Sequence, residues 1–409
     1  MKNGNKPVPE ASVTEEEIAR VTLKLLGYCR TRNWAGFDPY DGLNSAVFRS
    51  LKFLHSKYPR LVMTQLMKKS PLNLRRLLLV PESQNPKGIA LFLTSCVKLA
   101  KLDLLQDKGL VSTLAERLIE LSSNLGGFYA WGYNFDWQAL SGFAPRDTPN
   151  IVCTTFAGHA LLDAYDFQAD PRFLKSASAA AAFIQNRLLY NLNDSEAFLS
   201  YMPPDLDSKP VIPIHNANLM GASLLSRVAC KTGDRIMLDQ AHKVTRYSLG
   251  KQHADGAWDY GEWDHPSQRW IDNFHTGFNL CAIRRIGREA GSTEFESHLR
   301  RGFEFYRRHF FATEEAPKYF HDRLYPVDIH SAAQSIITLV LLRDLNGDNM
   351  SLAKRVLAWT LANMYDEVGY FYFQKWPWGI NRISYMRWSQ AWMLLALSSL
   401  LETIGGAKS

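Results

Sequence analysis

The chain has 409 residues, with 46% hydrophobic and 12% aromatic content, enough to bury a large core. Forty-seven Lys and Arg against 40 Asp and Glu leave a net charge of +7, a modest excess. With no dense Lys/Arg stripe this argues against a nucleic-acid surface while allowing an acidic ligand. No run approaches the roughly 18 apolar residues of a membrane span. The polar opening residues lack an apolar signal-peptide stretch, so a cytoplasmic protein, at most peripheral to a membrane, is expected. Cys29, Cys96, Cys153, Cys230 and Cys281 form no CxxC pair, which points to buried thiols rather than disulfides or a metal site.

Residues 1–13 read as a flexible tail ahead of a single domain. Glu15–Arg30 places apolar residues on one helical stripe, with acids in its first turn. After the aromatic, Gly/Pro-rich stretch TRNWAGFDPYDGLNS, Asp41 is placed to cap a helix from Leu43 to Lys57, stopped by Tyr58-Pro59. A short helix follows near Leu61–Met67. Asn85-Pro86 opens a helix from Lys87 to Leu104, with Pro at its first position, and Leu110–Ser122 pairs with it. Asn124–Asn150 is a long aromatic loop ahead of the helix Asn150–Tyr165, whose partner is Pro171–Leu189. Further helices start near His215, Asp272, Asp328 and Ser384, each followed by a more amphipathic partner. Apolar residues recur at three and four rather than two, so strands are expected only as short hairpins in the loops.

An internal repeat runs through the second half. Ser223, Asn279, Ser335 and Ala391 are each 56 residues apart, and seven positions earlier stand Asn216, Asp272, Asp328 and Ser384. All four are N-cap types, whose side-chain oxygen accepts a free backbone N–H. A period of this size fits a helical hairpin with its loops. The reading is an all-α fold, an α/α toroid of about six hairpins with seven as the alternative. Parallel inner helices would collect their N-termini at one mouth, and the last helix would close against the first. The first turns then bring His215, Asn216, Asn218, Asp272, His275, Asp328, His330, Tyr385 and Arg387 to a shared cavity. Helix N-termini there favour an anion such as a carboxylate.

QHADGAW (Gln252–Trp258) resembles the Q-x-x-x-G-x-W signature of squalene-cyclase and prenyltransferase toroids, where it is structural; their D-x-D-D motif and Cys/His/Asp zinc set are absent. WAGFDPYDGLNS, NPKG, WGYNFDWQ, TPNIVCTTF, DGAWDYGE, IDNFHTGF and VDIHSAAQS together resemble bacterial toroid proteins associated with polysaccharide biosynthesis. The wider group of carbohydrate-active toroids includes uronyl C5-epimerases, N-acylglucosamine 2-epimerases, polysaccharide lyases and glycosidases. The resemblance implies a glycan ligand rather than one reaction.

The candidate site follows from residue chemistry. Loop aromatics, among them Trp131, Tyr133, Trp137, Trp258, Tyr260, Trp263, Trp270, Tyr372, Trp376 and Trp378, can stack on sugar faces or plug the loops. His275 and His330, each beside an acidic cap, can move a proton, as can Tyr325 or Tyr385. His215 and His321 are further candidates. Asn218, Arg382 and Arg387 would hold a sugar carboxylate. Three readings remain open. One is epimerisation or lysis of an acidic oligo- or polysaccharide, or its precursor, by C5 proton abstraction. Another is glycoside hydrolysis by loop carboxyls Asp136, Asp259 or Glu262, Asp264 being a further loop acid without a capping role. The last is glycan binding without turnover. No metal or other cofactor is expected, and the oligomeric state stays open.

Overall fold

The structure, a computed structural model, describes residues 13–139, 142–206, 211–263, 269–313 and 315–406. Nearly all of the expected tail and the candidate Asp264 lie outside the described residues. The helices in chain order are α1 (Glu15–Arg30), α2 (Ala46–Ser50), α3 (Lys57–Lys69), α4 (Pro86–Lys101), α5 (Gly109–Glu120), α6 (Ile151–Gln168), α7 (Pro171–Arg187), α8 (His215–Thr232), α9 (Arg235–Gly250), α10 (Asn273–Ala290), α11 (Glu296–His309), α12 (Ile329–Leu341), α13 (Asn349–Met364) and α14 (Trp392–Gly406). Helices α4, α6, α8, α10, α12 and α14 pack side by side in that order, and α14 returns to α4. The toroid is therefore closed and has six inner helices. Helices α5, α7, α9, α11 and α13 back their own inner partners, and α1 backs α14.

The two layers differ as their sequences require. Inner α6 is buried on nearly every face, from Ile151 to Ala164, because it has inner helices on both sides and outer helices behind it. Outer α11 buries only Leu299, Gly302, Phe303, Phe305 and Tyr306, and turns Arg300, Arg301 and Arg308 outward. Strands are two or three residues long and sit in the loops, as expected.

The repeat register holds at two of the four expected caps. Asp272 accepts from the His275 amide at 2.9 Å, and Asp328 from the His330 amide at 2.8 Å. Asn216 is not a cap, because α8 starts earlier, with Ile214 at the N-cap. Ser384 is not one either: a π-helical stretch, Met386–Ala391, precedes α14, and Ser384 Oγ instead accepts from Tyr28 and Gln390.

The seventh inner helix, expected from Leu43, does not form. Residues 41–80 instead make a 3-10 turn (Asp41–Asn44), the short α2 and then α3. Pro59 does not stop a helix; it is the third residue of α3, where its missing N–H costs nothing. Arg75 and Arg76 lie in turns, and Arg75 is fully buried. Four of the five thiols are buried as expected, but Cys230 is exposed.

The QHADGAW stretch is a clamp between outer helices. Gln252 Nε2 donates to the carbonyls of Gly256 and His298, and Trp258 Nε1 donates to Ser248 O. Gly256 has φ +100, and a Cβ there would lie 2.3 Å from the Arg301 carbonyl oxygen of α11. Gly256→Ala is expected to cost about 1–3 kcal/mol, read from the denaturant midpoint. A loss below roughly 0.5 kcal/mol would mean that this corner yields freely.

Candidate active site

The first two turns of five inner helices converge. Lys87 (α4), Phe156 (α6), Phe278 (α10), His330 (α12) and Trp392 (α14) are in mutual contact through rings or through the Lys87 amine. Lys87 Nζ lies 4.5 Å from the Phe156 ring centroid, 5.5 Å from Phe278 and 5.2 Å from Trp392. His330 stacks on Phe274 at 4.5 Å and lies 4.4 Å from Trp392. Such contacts require the inner N-termini to share one end of the ring. Phe156 keeps partial exposure while residues 151–155 and 157–162 around it are buried. Solvent therefore reaches the axis at Phe156, which marks the floor of a cup.

Half-buried side chains line the wall. Tyr260 stacks on Trp263 and Trp270 and lies 4.4 Å from His275. Tyr319 meets Phe274 edge-on at 5.4 Å. Tyr40 lies 5.6 Å from Trp388, which in turn is 4.7 Å from His330. Lys68 Nζ sits 4.8 Å from the Tyr40 ring. Burial pushes the phenols of Tyr133, Tyr201, Tyr260 and Tyr319 well above their ordinary range, so they stay protonated donors suited to hydroxyl groups.

Within the wall, His275 and Asp272 form a dyad. Asp272 Oδ2 lies 2.7 Å from His275 Nδ1 and accepts from Trp270 Nε1 at 2.9 Å, while Oδ1 receives the His275 amide. Asp272 is buried, and the His275 side chain remains 21% exposed. An ionised carboxylate holds the proton on Nδ1 and leaves Nε2 as the basic nitrogen. His330 differs: it is 1% exposed, and neither ring nitrogen has a hydrogen-bond partner. Burial, reinforced by Lys87 and Arg387, drives its pKa well below the ordinary value, so it is a neutral floor residue. Beside it, burial raises the Asp328 carboxyl to about 6.

The remaining sequence-predicted residues are placed as follows. Arg387 does not face the cup with free donors: its Nε and Nη2 grip Asp38 at 2.6 and 2.8 Å. Tyr385 is fully buried and its hydroxyl accepts from Arg75 Nη1 at 2.9 Å, an arrangement unsuited to exchanging a substrate proton. Tyr325 is half-buried against the core, ahead of Pro326. Asn218 is fully buried and ties α8 to Leu199 N, Val244 O and Ser248 Oγ, so it holds no ligand carboxylate. His215 is buried beside Ser248 and Glu262, with its pKa lowered to about 4 by burial. His321 lies 3.3 Å from Ile271 O. Trp258 and Trp131 are loop plugs, donating to Ser248 O and Leu118 O. Trp378 is 75% exposed and stacks on Trp376 in the hairpin Gln374–Asn381, while exposed Arg382 covers Tyr372. Of the loop acids, Asp136 holds Arg146 N and Arg49, Glu262 accepts from Tyr247 at 2.7 Å, and Asp259 faces His253.

Tyr40, Lys68, Lys87, Phe156 and Tyr201 escaped the sequence reading. Lys87 was accessible to it: it stands in the first turn of an inner helix, as His275 and His330 do. Among the described residues it has no carboxylate within ion-pair distance, and burial together with Arg387 lowers its pKa from 10.5 to about 7.

No family model and no curated protein sequence matches the chain. Solved structures do resemble it. An α-mannanase of glycoside hydrolase family 76 from Bacteroides thetaiotaomicron aligns at TM-score 0.62 and 13% identity, over 80% of this chain and 88% of its own. A sugar epimerase from a ruminal bacterium aligns at 0.59 and 14%, over 79% and 88%. Cellobiose 2-epimerase from Spirochaeta thermophila aligns at 0.56 and 14%, over 80% and 87%. At such identities the likeness establishes the α/α-toroid fold.

Lys87 gives a signed pH prediction. Between about 7 and 10.5 the unfolded chain holds more protons at this site than the folded one, so its burden on stability is greatest below pH 7 and fades as pH rises. Lys87→Met is expected to raise the denaturant midpoint near pH 6 relative to the parent and to lose that advantage near pH 10. An effect equal at both pH values would show that the amine is not strained by burial.

Proposed function

We propose that the protein is a carbohydrate-active enzyme of polysaccharide biosynthesis or modification. It acts on an acidic sugar, as a polymer or a precursor, by moving the C5 proton. The observation that carries this reading is the Asp272–His275 dyad, set in a tyrosine-lined cup between two lysines. In the proposed step, His275 Nε2 takes the proton from C5 next to the carboxylate. The electron pair moves into the carboxyl group as an enediolate, and Lys68 and Lys87 stabilise the added charge. Return of a proton to the opposite face gives the epimer; departure of the C4 substituent gives an unsaturated sugar. The four tyrosines and the neighbouring rings hold the hydroxyls and faces of the substrate.

The similar solved structures include sugar epimerases and family 76 hydrolases. Carboxylate bonding favours proton transfer over hydrolysis. A glycosidase needs two carboxyls facing one bond. Among the described residues, Asp272, Asp328 and Asp38 near the cup are already saturated by Trp270 and His275, by Gln374, Trp388 and the His330 amide, and by Arg387. The assigned carboxylate partners change accordingly: the lysines replace Asn218 and Arg387.

The test is incubation with uronate oligosaccharides in deuterated water. Deuterium is expected at C5 by proton NMR, and His275→Gln is expected to slow its entry about 100-fold or more without lowering the melting temperature. Absence of exchange with every uronate, or exchange undiminished in His275→Gln, would overturn the proposal. Cleavage with uptake of water would assign the site to hydrolysis instead.

A further inference from the structure

We propose that the segment from Ala46 to Leu79 is a docking surface for an anionic lipid bilayer. This inference is independent of the chemistry assigned to the cup. Nine of the fifteen exposed large apolar side chains among the described residues fall between Val47 and Leu79. Phe53, Leu72 and Leu77 are 76%, 69% and 75% exposed. Helix α3 shows the pattern most plainly: Met63, Thr64 and Met67 face inward, while Tyr58, Val62, Leu66 and Lys69 share the outward face. Soluble surfaces rarely gather apolar side chains this way unless something covers them.

Charge identifies the occupant. From Gly42 to Pro81 the sequence has eight Lys and Arg and no Asp or Glu. Arg75 is buried against Asp41 and Arg49 lies by Asp136, but among the described residues no carboxylate pairs with Lys52, Lys57 or Lys69. Cations elsewhere on the ring, such as Arg172, Arg246 and Arg355, are paired with acids. A second copy docking the same face about a two-fold axis would set this basic surface against itself. Nucleic acid would satisfy the lysines but leave Phe53, Leu72 and Leu77 against a charged backbone. An anionic bilayer meets both demands, since apolar side chains enter the headgroup boundary while lysines hold lipid phosphates.

The segment is fixed to the mouth. Arg60 covers the Phe143 ring at 3.9 Å, Ser70 O accepts from Asn381 Nδ2 at 3.1 Å, and Arg75 reaches Tyr385. A docked molecule would therefore present its mouth end to the membrane surface.

The experiment is sedimentation of the full chain with vesicles of phosphatidylcholine alone and of phosphatidylcholine mixed with phosphatidylglycerol. Binding to the mixed vesicles is expected to exceed binding to neutral ones by about tenfold or more and to weaken with added salt. Phe53→Ser/Leu72→Ser/Leu77→Ser and Lys52→Glu/Lys57→Glu/Lys69→Glu, all surface changes, are each expected to reduce it by about tenfold or more at an unchanged melting temperature. No binding, equal binding to both vesicle types, or binding undiminished in both variants would overturn the proposal. So would a parent that is dimeric without vesicles and becomes monomeric in either variant, which would assign the face to a second copy.

Discussion

The ion pair between Asp38 and Arg387 is the constraint on which the mouth of the ring depends. It joins residues 349 positions apart with a two-pronged grip, out of contact with water. A buried pair of this kind contributes little net stability over an apolar substitute, because both ions must be desolvated. Its effect here is positional. It ties the loop after α1 to the first turn leading into α14, where the ring closes. Arg75 extends the lock by binding Asp41, the Asp38 carbonyl and the Tyr385 hydroxyl. A Cβ added at Gly88, at the start of α4, would lie 3.5 Å from Arg387 Cβ, so the start of α4 closely approaches the base of the Arg387 side chain. The bracket thus adds to the contacts of Arg60 with Phe143 and of Ser70 with Asn381 in fixing the segment from 41 to 80.

That bracket also sets the electrostatics of the cup. Arg387, neutralised by Asp38, is unavailable as a ligand, yet its charge still opposes protonation of Lys87 and His330. Burial acts in the same direction on both. It acts in the opposite sense on acids, raising Asp328 and the tyrosine phenols. The floor thus favours uncharged groups, and a charge introduced there meets few competing ions. His275 stands higher on the wall, part-exposed, with the buried Asp272 carboxylate behind it.

Legibility in the sequence followed the range of the interaction involved. The α/α toroid was readable because helix periodicity and capping are local. Asp272 and Asp328 needed only the following few residues to declare themselves caps, and His275 and His330 inherited their positions from them. Asn216 and Ser384 matched the same column, but capping also needs the backbone to turn at that residue, which side-chain type alone does not report. Residues 43–57 read as one helix because Asp41 stood as a cap and Tyr58-Pro59 as a stop; Asp41 is instead engaged by Arg75, 34 positions on. Arg387 and Tyr385 read as available polar groups because their partners, Asp38 and Arg75, are more than 300 positions away.

The ring's symmetry explains why only part of it bears the cup. Repeated helices supply equivalent first turns, and whatever stands there points at the axis. At α8 that position is occupied by His215, but Ser248 and Glu262 surround it, and the backbone bridge between Ile214 and Gly261 lies across the helix start. The bridge fixes Tyr260, whose amide donates to Trp270 O and whose carbonyl accepts from His215 N, so the phenol ring is held over His275 instead. One first turn is thus spent on shaping the wall beside the next. Function in such a fold resides in the departures from the repeat: a loop that seals one helix start positions the reactive group of its neighbour, and the 41–80 segment does the same for the first and last helices together.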